Sequence, residues 1–470
     1  MKTRTLVATF AAAGIALTIG QVTATALPGE GGISEAMAGP DVIVGAIPDV
    51  SKYGANTVNG VNIMAYAFGT TSCNIGTVNL RWWEGTPYHP VIPQNAYRFR
   101  NGRIEQIGVG WMKHGFCALQ ENLCATCQPG GIGCGSPTSE LGVGCSDPYT
   151  AGLNGSQGGL GPRYEVNVST GVFPATGSTS WPAIPSGQGT IGRRVQIKAD
   201  DLNPTLNTGA IYAAEAMYVH PDDAQANNDN NNASYRLFTI GALSGGAYNL
   251  TLSGSTFQQR PAIYHWPVVN PGTVLGTADA ADGRYIVGCS VVDLGGGNYR
   301  YEYAVFNFNS DGACASFAVP LPGGSSATNA TFRDVAYHSG EPFDGTDWTF
   351  SATGNQAKWE CTQTFAQNPN ANALRWGTLY NFSFESNAAP TNGNAILGIF
   401  KTGAAVNVAI KVPSSACGTG DLNCDGVVGG ADLGLLLAAW GTCGSPCPAD
   451  IDDNGVVNGA DLGFLLAAWG

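Results

Sequence analysis

AYRFRNGRIEQIGVGWM, residues 96–112, alternates apolar and polar side chains on both sides of an Asn101-Gly102 pair. A period of two sends successive side chains to opposite faces of a strand, and Asn-Gly accepts the positive φ of a two-residue type I′ turn. The stretch therefore reads as a β-hairpin. The pattern recurs on either side of it, at 61–68, 193–198, 210–219, 235–240, 285–292, 299–308, 331–337, 378–384, 396–401 and 406–412, with turn residues between. Segments 285–292 and 299–308, joined through DLGGGN, form a second hairpin. No amphipathic helix interrupts the series before residue 420. Many short strands without helices imply sandwiches or barrels, and about 370 residues exceed what one core usually organises. The expectation is a mainly β chain of one or two β-sandwich domains, with a β-rich domain over 41–250 and a β-sandwich over 251–412.

The N-terminus carries Lys2 and Arg4, then an Ala-rich apolar run to Gly20, then Ala24-Thr25-Ala26. Basic start, apolar middle and small-residue cleavage site are the three parts of a secretory signal peptide, here 1–26. A small-residue linker follows at 27–40. No later run approaches the roughly twenty apolar residues of a membrane span. The mature chain is thus expected to be secreted or held at the cell surface. Loss of Lys2 and Arg4 takes the formal net charge from −13 to −15, with no basic cluster, which argues against nucleic acid as a partner.

Thirteen cysteines suit an oxidising compartment. Nine belong to the body: Cys73, Cys117, Cys124, Cys127, Cys134, Cys145, Cys289, Cys314 and Cys361. An odd number leaves one thiol free, bonded to a partner or bonded across a domain boundary, and sequence does not give the connectivity. Cys124-x-x-Cys127 has zinc spacing, but export favours disulfides.

Beyond a linker at 413–420, one segment occurs twice. DLNCDGVVGGADLGLLLAAWG (residues 421–441) returns as DIDDNGVVNGADLGFLLAAWG (residues 450–470), identical at 15 of 21 positions. Each copy sets oxygen-bearing side chains on alternate residues of a tight loop, the arrangement that wraps calcium. The first loop offers Asp421, Asn423, Asp425 and Asp432 with the Val427 carbonyl. The second offers Asp450, Asp452, Asn454 and Asp461 with the Val456 carbonyl. Gly426 and Gly455 fall at the sharp turn. Two Ca2+ ions are expected. Leu433, Leu436, Leu437 and Trp440 then recur at helical spacing, mirrored by Leu462, Leu465, Leu466 and Trp469, so two stripes are expected to pack together. Four further cysteines (Cys417, Cys424, Cys443, Cys447) are available as staples.

No helix precedes either loop, and position twelve is Asp. In these respects residues 420–470 resemble the cysteine-bearing type I dockerin domains, with Gly-Asp-Leu-Asn-Cys-Asp-Gly and an Ala-Ala-Trp-Gly ending. The resemblance implies a small α-helical duplicated calcium-loop module (421–470) that binds a cohesin-like scaffold or surface receptor, and it associates the chain with polysaccharide. At loop positions ten and eleven stand Gly430-Ala431 and Gly459-Ala460, without the hydroxyls usual in cellulosomal members.

The body shows no catalytic signature. Glu84, in Arg81-Trp82-Trp83-Glu84-Gly85, sits among aromatics as a sugar-groove carboxylate would, with Glu215, Glu302 and Glu341 as possible second carboxylates. Bulky aromatics are more often core or strand-face residues, and that reading is favoured here. His89, His114, His220, His265 and His338 are scattered without metal spacing. DDAQANNDNNN (residues 222–232) reads as a solvated loop. The sequence thus supports a binding or structural body held by a calcium module, with a dockerin-borne glycoside hydrolase as the alternative.

Overall fold

The computed structural model describes residues 38–131, 133–136, 138–174, 181–322, 325–353, 355–414, 418–423, 427–444 and 447–470. The expected signal peptide, most of the linker at 27–40, and Cys417, Cys424, Asp425 and Gly426 lie outside them.

The chain is mainly β, with 44% of residues in strands and 11% in helices. The hairpin that opened the reading forms from Gln94–Arg100 and Arg103–Val109, with Asn101 at φ 52° and Gly102 at φ 75°. Both turn residues have the left-handed backbone that Asn and Gly tolerate best. This hairpin is the middle of an eight-stranded antiparallel sheet, ordered Ala247–Phe257, Ala233–Ser244, Ile211–Met217, Gln94–Arg100, Arg103–Val109, Val195–Lys198, Val61–Phe68, Val50–Val58. The expected cut between residues 250 and 251 falls inside its edge strand Ala247–Phe257.

Two five-stranded sheets follow. The first runs Val274–Ala280, Gly283–Gly295, Asn298–Asn307, Thr378–Ser386, Thr328–Arg333. The second runs Thr349–Thr353, Gln356–Glu360, Cys314–Pro320, Pro390–Ile399, Val406–Pro413. Between them lies an aromatic core that includes Tyr303, Phe317, Trp359, Phe382 and Phe384.

Three cores stack one behind another. One face of the eight-stranded sheet packs, through Tyr66, Phe68, Ala96 and Tyr212, on a layer that includes the strands Val42–Ala46, Thr70–Asn74 and Ser146–Tyr149. Its other face, through Tyr97, Phe99, Ala213 and Tyr235, meets Ile286, Ala304, Phe306 and Leu379 of the first five-stranded sheet. That sheet is itself covered twice: Tyr285 and Val287 point into one core and Ile286 into the other. Burial on both faces explains why Tyr285–Cys289 is apolar almost without alternation. The two halves therefore share an interior.

Short helices of four to six residues do occur before residue 420, among them Pro221–Ala226. This last one corrects the reading of residues 222–232. Asp223 is fully buried, accepting from the Val42 backbone N–H at 3.0 Å and the Asn232 amide at 2.6 Å. Asp222 pairs with Arg81, and Asp229 accepts from Asn309 at 2.9 Å. The polar run lacks an apolar face because its carboxylates satisfy distant backbone and side-chain donors. It is not a solvated loop.

Disulfides Cys73–Cys124, Cys117–Cys134 and Cys127–Cys145 staple the glycine-rich segment that follows the opening hairpin. Cys124 and Cys127 belong to different bridges, so they do not form a zinc pair. Among the described cysteines, Cys289, Cys314 and Cys361 are buried free thiols, where the odd count of the body left at least one without a partner inside it. Among the described residues, no helix is long and apolar enough to cross a membrane.

Candidate metal centre

The second C-terminal loop brings three of its expected ligands together. Oxygens of Asp450, Asp452 and Asp461 all lie within 4.8 Å of one another, with Asp461 fully buried and Asp452 exposed. The backbone fixes them there. Asp450 accepts from the Asn454 and Gly455 N–H groups at 3.0 and 2.7 Å, and Asn454 Oδ1 accepts from Val456 N–H at 2.9 Å. Gly455 turns the chain at φ 87°, where a Cβ would strain it. Asp461 closes the loop: one oxygen accepts from Ile451 and Asp452 N–H at 2.7 and 3.2 Å, the other from Asn458 N–H at 2.8 Å. Burial alone pushes the Asp461 carboxyl up, but those N–H donors outweigh it and hold it below the ordinary carboxylate range. The Val456 carbonyl accepts from the Asn458 side-chain amide at 2.9 Å.

The first loop repeats the closure. Asp432 is fully buried and accepts from Asn423 N–H at 3.0 Å and Gly429 N–H at 2.8 Å. Hydrogen bonds from Gly429 and Asn423 keep its carboxyl low. Asp421 is buried and Val427 is exposed, while Asp425 lies outside the described residues. Three carboxylates drawn this close repel one another in the absence of a cation. An all-oxygen, anionic donor set fits a hard divalent ion such as calcium better than zinc.

Helices Gly430–Ala438 and Gly459–Ala467 leave the two loops, each opened by an aspartate that accepts from the N-cap N–H, Asp432 from Gly429 and Asp461 from Asn458; Asn458 adds a side-chain cap, accepting from Ala460 N–H at 2.8 Å. Leu436 and Leu465 are fully buried with Val428, Ala449 and Val457, and Leu433 and Leu462 pack beside them. The copies interlock: Gly441 after the first helix pairs with Val457 of the second loop, and Gly470 N–H donates to the Val428 carbonyl of the first at 3.2 Å. The Cys443–Cys447 disulfide closes the turn between them. The expected stripes pack only in part. Leu437, Trp440, Leu466 and Trp469 are each 47–53% exposed, because two nine-residue helices bury one narrow line of contact and leave the flanking positions outside it.

The four candidate glutamates of the body do not assemble into one site. Glu84 is exposed, with Lys113 the nearby charge. Glu215 is buried and accepts from Asn95 and Tyr97 at 2.9 Å and from Ala262 N–H at 2.7 Å, a structural tie from sheet to connecting segment. Glu302 pairs with Arg103 and Arg300 at 3.0 and 3.2 Å. Glu341 accepts from the Arg163 backbone N–H at 3.1 Å, and burial pushes its carboxyl up to about 7.

Two clefts were not foreseen. A groove of about 550 Å³ runs between the 106–109 and 196–198 strand ends and segment 332–338, and carries Asp201, Asp334 and Asp347. A smaller cleft of about 250 Å³ contains Arg163, Arg375 and Lys401. Both are assembled from segments far apart in the chain and leave no local motif. Scanned against protein-family models the chain matches none, and a search of curated proteins finds no match.

Proposed function

We propose that this is an exported protein whose C-terminal module is a calcium-ordered, dockerin-like anchor, holding the β body to a cohesin-like scaffold or surface receptor. The observation that carries the reading is the convergence of Asp450, Asp452 and Asp461 within 4.8 Å in a loop that opens a helix. The exposure of Leu437, Trp440, Leu466 and Trp469 supports it, since large apolar side chains left in solvent on a small module commonly mark a docking site. Disulfide bonding in the body supports export. The test is surface plasmon resonance of the full chain over a panel of immobilised cohesins, in calcium and in EGTA. Calcium-dependent binding that Trp440→Ser with Trp469→Ser abolishes is the expected result. Binding to no cohesin, or binding indifferent to EGTA, would overturn the anchor.

A second reading, glycoside hydrolysis by the body, rests on the 550 Å³ groove. Burial raises the Asp334 carboxyl, as a general acid requires, and Asp347 stands near it in the same groove. Reducing-end release from a polysaccharide panel, lost in Asp334→Asn, would establish it. A panel with no release removes it.

A further inference from the structure

The smaller cleft departs from the charge balance of the chain. Acidic residues outnumber basic ones 34 to 21 overall, yet this cleft is lined by three cations, Arg163, Arg375 and Lys401, against one carboxylate, Asp311. Lys401 uses that carboxylate, at 2.7 Å.

The two arginines are the unusual members. Arg163 is 3% exposed and donates to the carbonyls of Gly110, Gly377 and Gln94 and to Asn95 Oδ1. Arg375 is 8% exposed and donates from Nη2 to the carbonyls of Pro369 and Ala371, while its Nε has no hydrogen-bond partner. Its guanidinium lies 4.2 Å from the Phe343 ring centroid and 4.8 Å from that of Phe400. Carbonyls and ring faces solvate these cations; the buried Glu341 carboxyl acts on both through space and Glu215 on Arg163, but among the described residues neither guanidinium forms a direct ion pair with a carboxylate. A buried charge is costly unless it is paired. Arg375, whose Nε is left without a hydrogen-bond partner beside the opening, is the group that an anion from outside completes.

The rest of the lining says what the anion is attached to. Tyr164 and Phe365 are each 38% exposed there, offering aromatic surface to the flat apolar side of a ring. Asn370, exposed at the rim, adds a hydrogen-bonding group of the kind that meets hydroxyls. A volume of about 250 Å³ accommodates a small ligand rather than a long chain segment.

We infer that the cleft between Arg163, Arg375 and Lys401 binds a hexuronate unit, a six-membered sugar ring whose carboxylate meets the arginines while the ring lies against Tyr164 and Phe365. The site is independent of the C-terminal loops, so it stands or falls separately from the proposed anchor.

The test is isothermal titration calorimetry of the full chain with glucuronate and galacturonate, using glucose, benzoate and inorganic phosphate as comparisons, with and without EGTA. Saturable binding of one uronate, at least 10-fold tighter than glucose and unchanged by EGTA, is expected. Arg375→Gln should weaken it at least 10-fold. Because that variant removes a buried group, Lys401→Gln, at a partly exposed position, is measured too and should weaken it about 3-fold, the loss of one cation near the rim. Glucose binding as tightly as either uronate would overturn the inference. So would benzoate or phosphate binding where the uronates do not, or affinity unchanged in both folded variants.

Discussion

His89 Nε2 and His114 Nδ1 lie 2.9 Å apart, one hydrogen bond joining two buried rings edge to face. Only one of the two can donate across that bond, so the pair is stable with at least one ring neutral. Burial is the main reason both resist protonation, His89 down to about 4, where His220 and Lys113 add to it, and His114 to about 3, where His89 and Lys113 do. His220, also buried, follows at about 4.

An unfolded histidine takes up its proton near 6.5. Below that value the unfolded chain binds more protons than the folded one, so the stability these rings contribute is complete above 6.5 and is lost as pH falls toward 4. Raised carboxyls act with the opposite sign: Asp41, pushed to about 6, and Glu341, at about 7, favour the folded chain at low pH and lose that contribution as pH rises through those values. A difference measurement isolates the histidines. The stability gap between wild type and His114→Asn, from urea unfolding, should narrow by about 1 kcal/mol per pH unit between 6.5 and 5. A gap that widens would contradict neutral burial. The ring resonances of His89 and His114 should not titrate between pH 8 and 5.

The second loop should fail if its closing carboxylate is removed. Asp461→Ala deletes the acceptor for Ile451, Asp452 and Asn458 N–H groups and one of the three clustered carboxylates. Calcium titration of the full chain, followed by Trp fluorescence, should lose the contribution of that loop. Where calcium is present at about 100 times its dissociation constant, the wild-type module should gain about 2.7 kcal/mol from it. Chelator should reverse the gain.

Phe306 is 1% exposed in the core shared by the eight-stranded sheet and the first five-stranded sheet. Phe306→Ala should cost about 3–5 kcal/mol. Because the interior is common to both halves, their denaturation should remain a single transition shifted to lower urea. Two separated transitions in wild type would show that the halves fold independently.

Cysteine chemistry gives a direct map. Alkylation of denatured, unreduced protein should modify Cys289, Cys314 and Cys361 and leave Cys73, Cys117, Cys124, Cys127, Cys134 and Cys145 protected, as read by peptide mass spectrometry. Label on Cys124 or Cys127 would overturn the pairing. Burial raises the free thiols, Cys289 beyond the usual range and Cys314 to about 12, so in the folded protein all three should react slowly.

What could be read from the sequence was what neighbours in the chain decide. The hairpin at Asn101-Gly102 and the strand Val61–Phe68 follow from local alternation and turn chemistry. Strand Val50–Val58 was missed because VSKYGANTV is half-buried along its length and carries Lys52, Gly54 and Asn56 at a sheet edge. Asp223 was misread for a different reason. Its partner Val42 is 181 residues away, and no local pattern marks a carboxylate as buried when its donor comes from so far. The proposed loop ligands could be named from sequence because their spacing is the motif itself. Arg163 and Arg375 were invisible until two distant segments met, since a lone arginine in sequence carries no sign that it will line a cleft.

The crossed pairing at the C-terminus has a consequence for how metal would act there. Val457 is tied to Gly441 and Val428 to Gly470, so each loop is braced by the far end of the other copy's helix. Tightening one loop pulls on the brace of its twin. The two sites should therefore fill as a coupled pair, with a steeper response to calcium than two independent loops would give, and damage to either should loosen both. A duplication wired in this way behaves as a single clasp with two halves.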